Sequence, residues 1–142
     1  KKLNRKFYDI DNIIEKKNNM KIFDIFKLKG ESFFRREEEL VALEYLKKDN
    51  CIISLGGGTF LNEKVRNMIL LNSVSFWIVI KNETIKNRLK NSKKRPLVNM
   101  HGIDGIDKLI NDRKKFYSLA NFKINCDMLT LNQISNKIIK LL

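Results

Sequence analysis

The sequence predicts an α/β protein with a parallel sheet and helices on both of its faces. Three observations carry that expectation. Strand-like and helix-like segments alternate from end to end. The run "VSFWIVI" (74–80) is apolar throughout, as expected of a strand covered on both faces. The stretch "CIISLGGGTF" (51–60) leads an apolar strand straight into three glycines. In parallel α/β sheets ligands gather at such carboxyl ends, where a bound molecule needs room against the backbone.

The elements follow in order. "KFYDI" (6–10) is a short strand ending at two acids, and "IDNIIEKK" (10–17) has helical spacing. "KIFDIFKLKG" (21–30) is a second short helix, stopped by Gly30. "ESFFRREEELVALEYLKK" (31–48) is the clearest helix. Phe34, Leu40, Val41, Leu43 and Leu46 give it an apolar side, and its early acids and late lysines suit the helix dipole. "CIISL" (51–55) is a strand, "NEKVRNMILL" (62–71) a helix, 74–80 a strand and "TIKNRLKN" (84–91) a helix. "SKKRPLVNMHG" (92–102) reads as a basic loop holding the sole proline and the sole histidine, His101, taken as a solvated loop residue. "IDKLINDRKKFYSLA" (106–120) is a helix, "NFKIN" (121–125) a strand and "LNQISNKIIKLL" (131–142) a closing helix.

The 142 residues contain no repeat, low-complexity tract or Pro/Gly-rich linker, so they read as one domain with room for a proper core. At 43% hydrophobic and 32% charged residues the composition is that of a soluble globular protein. No apolar run approaches the roughly 20 residues that span a bilayer, and the first residues lack a signal-peptide stretch. Cys51 and Cys126 lie far apart in apolar contexts without metal spacing, which points to small buried hydrophobes and a cytoplasmic location. The net charge of +13 is spread along the chain, with no aromatic-interleaved stripe and no arginine-rich arm. A general drift toward Lys, Asn and Ile explains it as well as a polyanion-binding surface does. A small substrate carrying phosphates would also gain from such a field, and no nucleic-acid or membrane partner is expected.

Four short stretches carry chemistry. In "YDID", Asp9 and Asp11 stand two apart at a strand end, a spacing that would point both carboxylates one way. Either they serve a magnesium ion and a substrate hydroxyl, or Asp11 caps the next helix. In "FFRREEE", Arg35 shares a helix face with Glu38 or Glu39. A glutamate behind an arginine fixes its guanidinium fork for a carboxylate or phosphate, and the alternative is a solvated ion pair. The three glycines, Gly56, Gly57 and Gly58, offer positive φ and exposed N–H donors, or simply a tight turn. In "KKRPLV", Arg95 precedes Pro96 in a loop that either closes over phosphates or is solvated.

Together and in this order, the motifs resemble those of the shikimate kinases, small enzymes of the P-loop nucleoside monophosphate kinase type. "FYDID" is similar to the family's F-x-D-x-D, and "GESFFRREEELV" to its G-E-x-x-F-R-x-x-E. "SLGGGTF" is similar to its strand plus G-G-G, "KRPLV" to its lid R-P-L, and "DRKKFYSLA" to its last helix R-x-x-x-Y, though one residue short of the usual Y-x-x-x-A. The resemblance implies a three-layer α/β/α fold with strand order 2-3-1-4-5. It implies ATP-dependent phosphorylation of the shikimate 3-hydroxyl, a step of the chorismate pathway to aromatic amino acids. Carried over residue by residue, it implies that Asp11 holds the shikimate hydroxyls and serves as base. Arg35 and Arg113 grip the shikimate carboxylate, Glu38 orients Arg35, and Phe34 lines the pocket. Gly56, Gly57 and Gly58 give backbone contact to the ring. Asp9 serves Mg²⁺ directly or through water. Arg95, on a lid at 92–102, reaches the phosphates of ATP, and Arg88 lies near the adenine. The protein is expected to act as a monomer. A gluconate kinase of the same fold would not need the Arg35–Arg113 pair, and a basic nucleic-acid module would leave the glycines and the paired aspartates unexplained.

One family element is missing from the string. The phosphate loop G-x-x-x-x-G-K-[ST], which the family carries about 15–20 residues ahead of its D-x-D, does not occur. The expectation is a chain truncated before "FYDID", lacking the family's first strand and phosphate loop. The strands at 51–55 and 74–80 would then lose their common neighbour and expose apolar edges. On that reading the 142 residues alone fold poorly and do not turn over ATP.

Overall fold

In a computed structural model, residues 2–90 and 96–142 are described, with backbone alone at 88–90, 96–104 and 106. The chain forms two compact units, Lys1–Ser73 and Val74–Leu142.

The first unit opens with strand β1 (Lys6–Asp9) and helix α1 (Ile10–Asn18). Helix α2 spans Ile22–Tyr45, followed by strand β2 (Cys51–Ser54), a 3₁₀ turn (Thr59–Leu61) and helix α3 (Glu63–Asn72). β1 and β2 pair in parallel, with Phe7 opposite Ile52 and Asp9 opposite Ser54. The core is the α-helical cover of this pair. Ile10 and Ile14, one helical turn apart on α1, meet Ile25, Phe34 and Val41 of α2, with Ile53 and Leu55 packed beneath.

Local rules set the boundaries. β1 stops because Asp9 turns into a helix N-cap, its Oδ1 accepting from the Asn12 N–H at 3.0 Å. α1 ends at Asn19 in the left-handed region (φ 50°), where its N–H turns back to the Glu15 and Lys16 carbonyls. Lys21 stands at the N-cap of α2 without capping it. The Glu15 carboxylate does so instead, accepting from the Ile22 N–H at 3.0 Å. At Gly30 the backbone leaves the helix with φ 82° and ψ 167°, so the two expected helices are two segments joined at a kink. That conformation belongs to glycine almost alone.

The inner face of α2 differs from the expected one. Phe34 and Val41 are buried, but Leu40 is 52% exposed and Glu38 only 3%. Residues 34, 38, 41 and 42 share one helical stripe, and position 40 falls outside it. The apolar count along the helix therefore misses a carboxylate that faces inward.

The second unit contains β3 (Phe76–Val79), α4 (Asn82–Lys90), α5 (Pro96–Tyr117), β4 (Phe122–Asn125) and α6 (Leu131–Ile139). β3 and β4 are parallel, Phe76 opposite Phe122 and Val79 opposite Asn125. Lys86 of α4 forms an ion pair with Asp107 of α5. Thr130 and Gln133 form a reciprocal capping box at the start of α6. The full coverage expected of "VSFWIVI" does not hold within the described residues, since Ile78 is exposed and Phe76, Trp77 and Val79 are half-buried. The loop expected at 92–102 is helical from Pro96 onward. Proline suits a first helical position, where its missing N–H costs no bond. The remainder of that segment, 92–95, lies outside the described residues.

β1 and β2 form one two-stranded sheet and β3 and β4 another. Among the described residues no helix is long and apolar enough to cross a membrane. Both cysteines are free; Cys126 is buried, and burial pushes its thiol up.

Two stability tests follow from this unit. Gly30→Ala forces a side chain into a glycine-only conformation and should cost about 1–3 kcal/mol, read from a urea midpoint. Glu37 of α2 is joined to α1 by Lys17 at 3.1 Å and by the Asn18 amide at 3.3 Å. Burial raises its pKa, but those hydrogen bonds and the Lys17 and Lys29 charges outweigh it, so it lies below the ordinary value. A depressed carboxylate contributes stability above its unfolded pKa of about 4.3, and that stability is lost as pH falls through the folded pKa. Glu37→Gln should flatten this acid limb in urea midpoints measured against pH.

Candidate functional site: an arginine–glutamate–glycine cluster

The site of the first unit is built where β1 and β2 end. Asp9 closes β1, and Asp11 sits in the first turn of α1. Strand spacing therefore does not relate the two carboxylates, contrary to the expectation from "YDID". Asp9, not Asp11, is the cap. Asp11 instead approaches the glycines. A Cβ built on Gly56 would stand 2.7 Å from Asp11 Oδ1 and 3.0 Å from Glu38 Oε1.

Arg35 is held on three of its N–H groups. Nη1 donates to Glu38 Oε2 at 2.6 Å, while Nε and Nη2 both donate to Glu31 Oε1 at 3.1 Å. Its guanidinium carbon lies 5.2 Å from the ring centre of Phe34 and 6.0 Å from that of Phe26. A guanidinium has five N–H donors. Three are used in these bonds, which leaves one on each terminal nitrogen for another acceptor. Two donors on adjacent nitrogens suit a planar carboxylate. Phe34 itself is a core residue beneath Arg35. Glu39 turns elsewhere, accepting from Asn62 at 2.7 Å and Lys64 at 3.2 Å.

The glycines are required for space. Neither Gly56 nor Gly58 has positive φ, so the expected left-handed backbone is not the reason for them. A Cβ on Gly58 would run into the Arg35 Nη1. Gly56 and Gly58 thus admit the Asp11, Glu38 and Arg35 heads against bare main chain. Thr59 follows directly and is wholly buried. Its Oγ1 donates to Glu38 Oε1 at 2.6 Å. Glu31 and Thr59 were not among the residues expected from the sequence. The only signals for them were a glutamate four residues before Arg35 and a hydroxyl abutting the glycines.

Asp11, Phe34, Arg35, Glu38, Gly56 and Gly58 are therefore brought together, with exposed Gly57 between the last two. Arg113 belongs to α5 of the second unit. Its Nε is buried with no hydrogen-bond partner among the described residues. Arg88 lies in α4, where the backbone alone is described, and Arg95 lies outside the described residues. No cluster of three or more His, Cys, Asp or Glu side chains among the described residues is placed to hold a metal.

A parallel α/β fold with an arginine fork, a carboxylate and bare main chain at the strand ends defines a protein built to take a small polar acid. Comparison with known proteins gives the family. A family model for shikimate kinase matches residues 1–142. The chain is 41% identical over 138 residues to a shikimate kinase of Sulfurihydrogenibium sp., covering 97% of this chain and 82% of the relative. It is 38% identical over 144 residues to that of Bacillus subtilis, covering 100% of this chain and 77% of the relative. Among solved structures it matches the Acinetobacter baumannii shikimate kinase in complex with shikimate, with a TM-score of 0.90, 25% identity, and coverage of 96% and 78% of the two chains. The Aquifex aeolicus shikimate kinase matches with a TM-score of 0.84, 34% identity, and coverage of 99% and 83%. The chain belongs to the shikimate kinase family. Its function is that family's ATP-dependent phosphorylation of shikimate, and its α/β fold is that of the solved shikimate kinases.

The packing at Gly58 is directly testable. Gly58→Ala should cost about 1–3 kcal/mol, because the new methyl drives the Arg35 head off the buried Glu38 carboxylate. It should break the Arg35–Glu38 bond and weaken shikimate binding, read by calorimetry beside a thermal melt.

Proposed function

We propose that the chain performs this transfer with Asp11 at the reacting hydroxyl and with Arg35 and Arg113 on the carboxylate of shikimate. The observation that carries the reading is the Arg35 head. It is fixed by Glu38 and Glu31, keeps a donor on each terminal nitrogen, and lies against a glycine with no side chain. The buried Nε of Arg113 supports the second half, since a buried donor without a partner is costly and an anionic ligand would satisfy it. The Acinetobacter baumannii relative is a complex with shikimate, which favours the same ligand here.

In this reading Asp11 accepts hydrogen bonds from the ring hydroxyls and takes the proton of the 3-hydroxyl as its oxygen attacks the γ-phosphorus of ATP. The bond from that phosphorus to the bridging oxygen breaks, and ADP leaves. Gly56, Gly57 and Gly58 bring main chain against the ring, and Phe34 supports the guanidinium from below. Such a transfer depends on positioning and charge neutralisation more than on covalent chemistry. Arg95 would meet the phosphates from the 92–102 lid and Arg88 would lie near the adenine, as the family motifs imply.

Magnesium fits this site in a limited way. One oxygen of Asp9 caps α1, and the second is the group offered to the ion, directly or through water. Kinase sites hold Mg²⁺ by one or two carboxylates and the substrate phosphates, so a single aspartate suffices. When bound, the ion would neutralise phosphate charge. We further place the enzyme in the cytoplasm as a single-domain monomer, in keeping with its two free cysteines.

A coupled ADP-release assay on the intact protein, with and without shikimate, tests the assignment. Asp11→Asn should lower kcat by about 10²–10⁴-fold. Arg35→Lys and Arg113→Lys should each raise the KM for shikimate far more than that for ATP, because lysine lacks the fork. Shikimate-independent ADP release, or equal effects on both substrates, would sink the reading.

A further inference from the structure

We propose that Thr59 is a positioning residue for shikimate recognition, acting through Glu38 on Arg35. This inference rests on the reading of Arg35 as the carboxylate-binding group.

Glu38 carries its charge where only 3% of the residue meets solvent. A buried carboxylate is tolerated when both oxygens have partners. Oε2 accepts from Arg35 and Oε1 accepts from Thr59, each at 2.6 Å. Thr59 is itself wholly buried. Its backbone N–H also donates to the Gly56 carbonyl at 3.2 Å and so closes the glycine turn. One residue therefore ties the bare main chain at 56–58 to the glutamate that aims the arginine.

Removing the hydroxyl leaves Glu38 Oε1 buried beside Gly56 without the bond that Thr59 gives it. The carboxylate then rotates toward whatever donor remains, and Arg35 loses its short bond to Oε2. Arg35 retains Glu31, which is far more exposed than Glu38. The guanidinium drifts toward that solvated partner and away from Gly58. The defect falls on the carboxylate of shikimate, while the nucleotide is not touched by this chain of bonds. Valine has nearly the shape of threonine without the hydroxyl, and serine keeps the hydroxyl without the methyl.

The test compares Thr59→Val and Thr59→Ser in the intact kinase by steady-state kinetics for both substrates, with circular dichroism melts as the folding control. Thr59→Val should raise the KM for shikimate about tenfold, the size of a lost hydrogen bond to a charged group. The KM for ATP should stay within about twofold, and Thr59→Ser should stay near wild type for both. If Thr59→Val does not fold, Thr59→Ala against Thr59→Ser is read by the same criteria. An unchanged shikimate KM, an equal rise in both KM values, or a serine variant as impaired as the valine one overturns the proposal. A wild-type protein that does not turn over shikimate overturns the underlying assignment together with it, so the two failures are told apart.

Discussion

The buried carboxylate of Glu38 is the constraint from which the rest of the site follows. A charge 3% exposed inside a small unit stays there only if its partners come with it. Arg35 and Thr59 supply them, one from the same helix and one from across the unit. Because both bonds are short, the three heads must crowd together over the chain that follows β2. That crowding leaves no room for side chains at 56 and 58. The glycine run, the ion pair and the buried threonine are thus one packing solution.

Ordinary local rules deliver the parts to that point. Asp9 ends a strand and starts a helix, which turns Asp11 out of the sheet toward Gly56. Glu15 supplies the cap that Lys21 cannot, fixing where α2 begins. The kink at Gly30 then resets the helix one turn before Arg35. Downstream, Glu39 takes Asn62 and Lys64, which anchors the start of α3 behind the glycine loop. Binding groups on rigid elements are held more closely than groups on loops. Here Asp11, Arg35 and Glu38 are all helical, and the loop contributes main chain.

Much of the fold was legible in the sequence, because strand and helix periods are local properties. β1, β2 and β4 and the helices at 10–18, 63–72 and 131–139 lie close to where the residue patterns put them. The strand pairs β1–β2 and β3–β4 are parallel, as the alternation of strands and helices predicts. Two of the three misreadings share a cause. Leu40 was placed inside by its hydrophobicity, but the stripe of α2 passes through 34, 38 and 41 and leaves it exposed. The two aspartates were placed on one strand, but the strand ends at the first of them. The stretch after Pro96 was read as a loop and is helical. In the first two cases a boundary or phase one or two residues off redirects a side chain; in the third, α5 begins at Pro96, well ahead of the start expected at 106.

By itself the sequence determined the class of fold, the family and most of the chemical groups at the site, since these depend on periodicity and on rare residues in a set order. It also determined that glycine was needed after β2. Only the tertiary structure decided why: not for an unusual φ, but because Asp11, Glu38 and Arg35 occupy the space where Cβ atoms would stand. It alone chose Glu38 over Glu39 as the partner of Arg35, and it alone brought in Thr59. Contacts between residues twenty positions apart depend on how helix and loop are packed, and no local pattern in the chain encodes that distance.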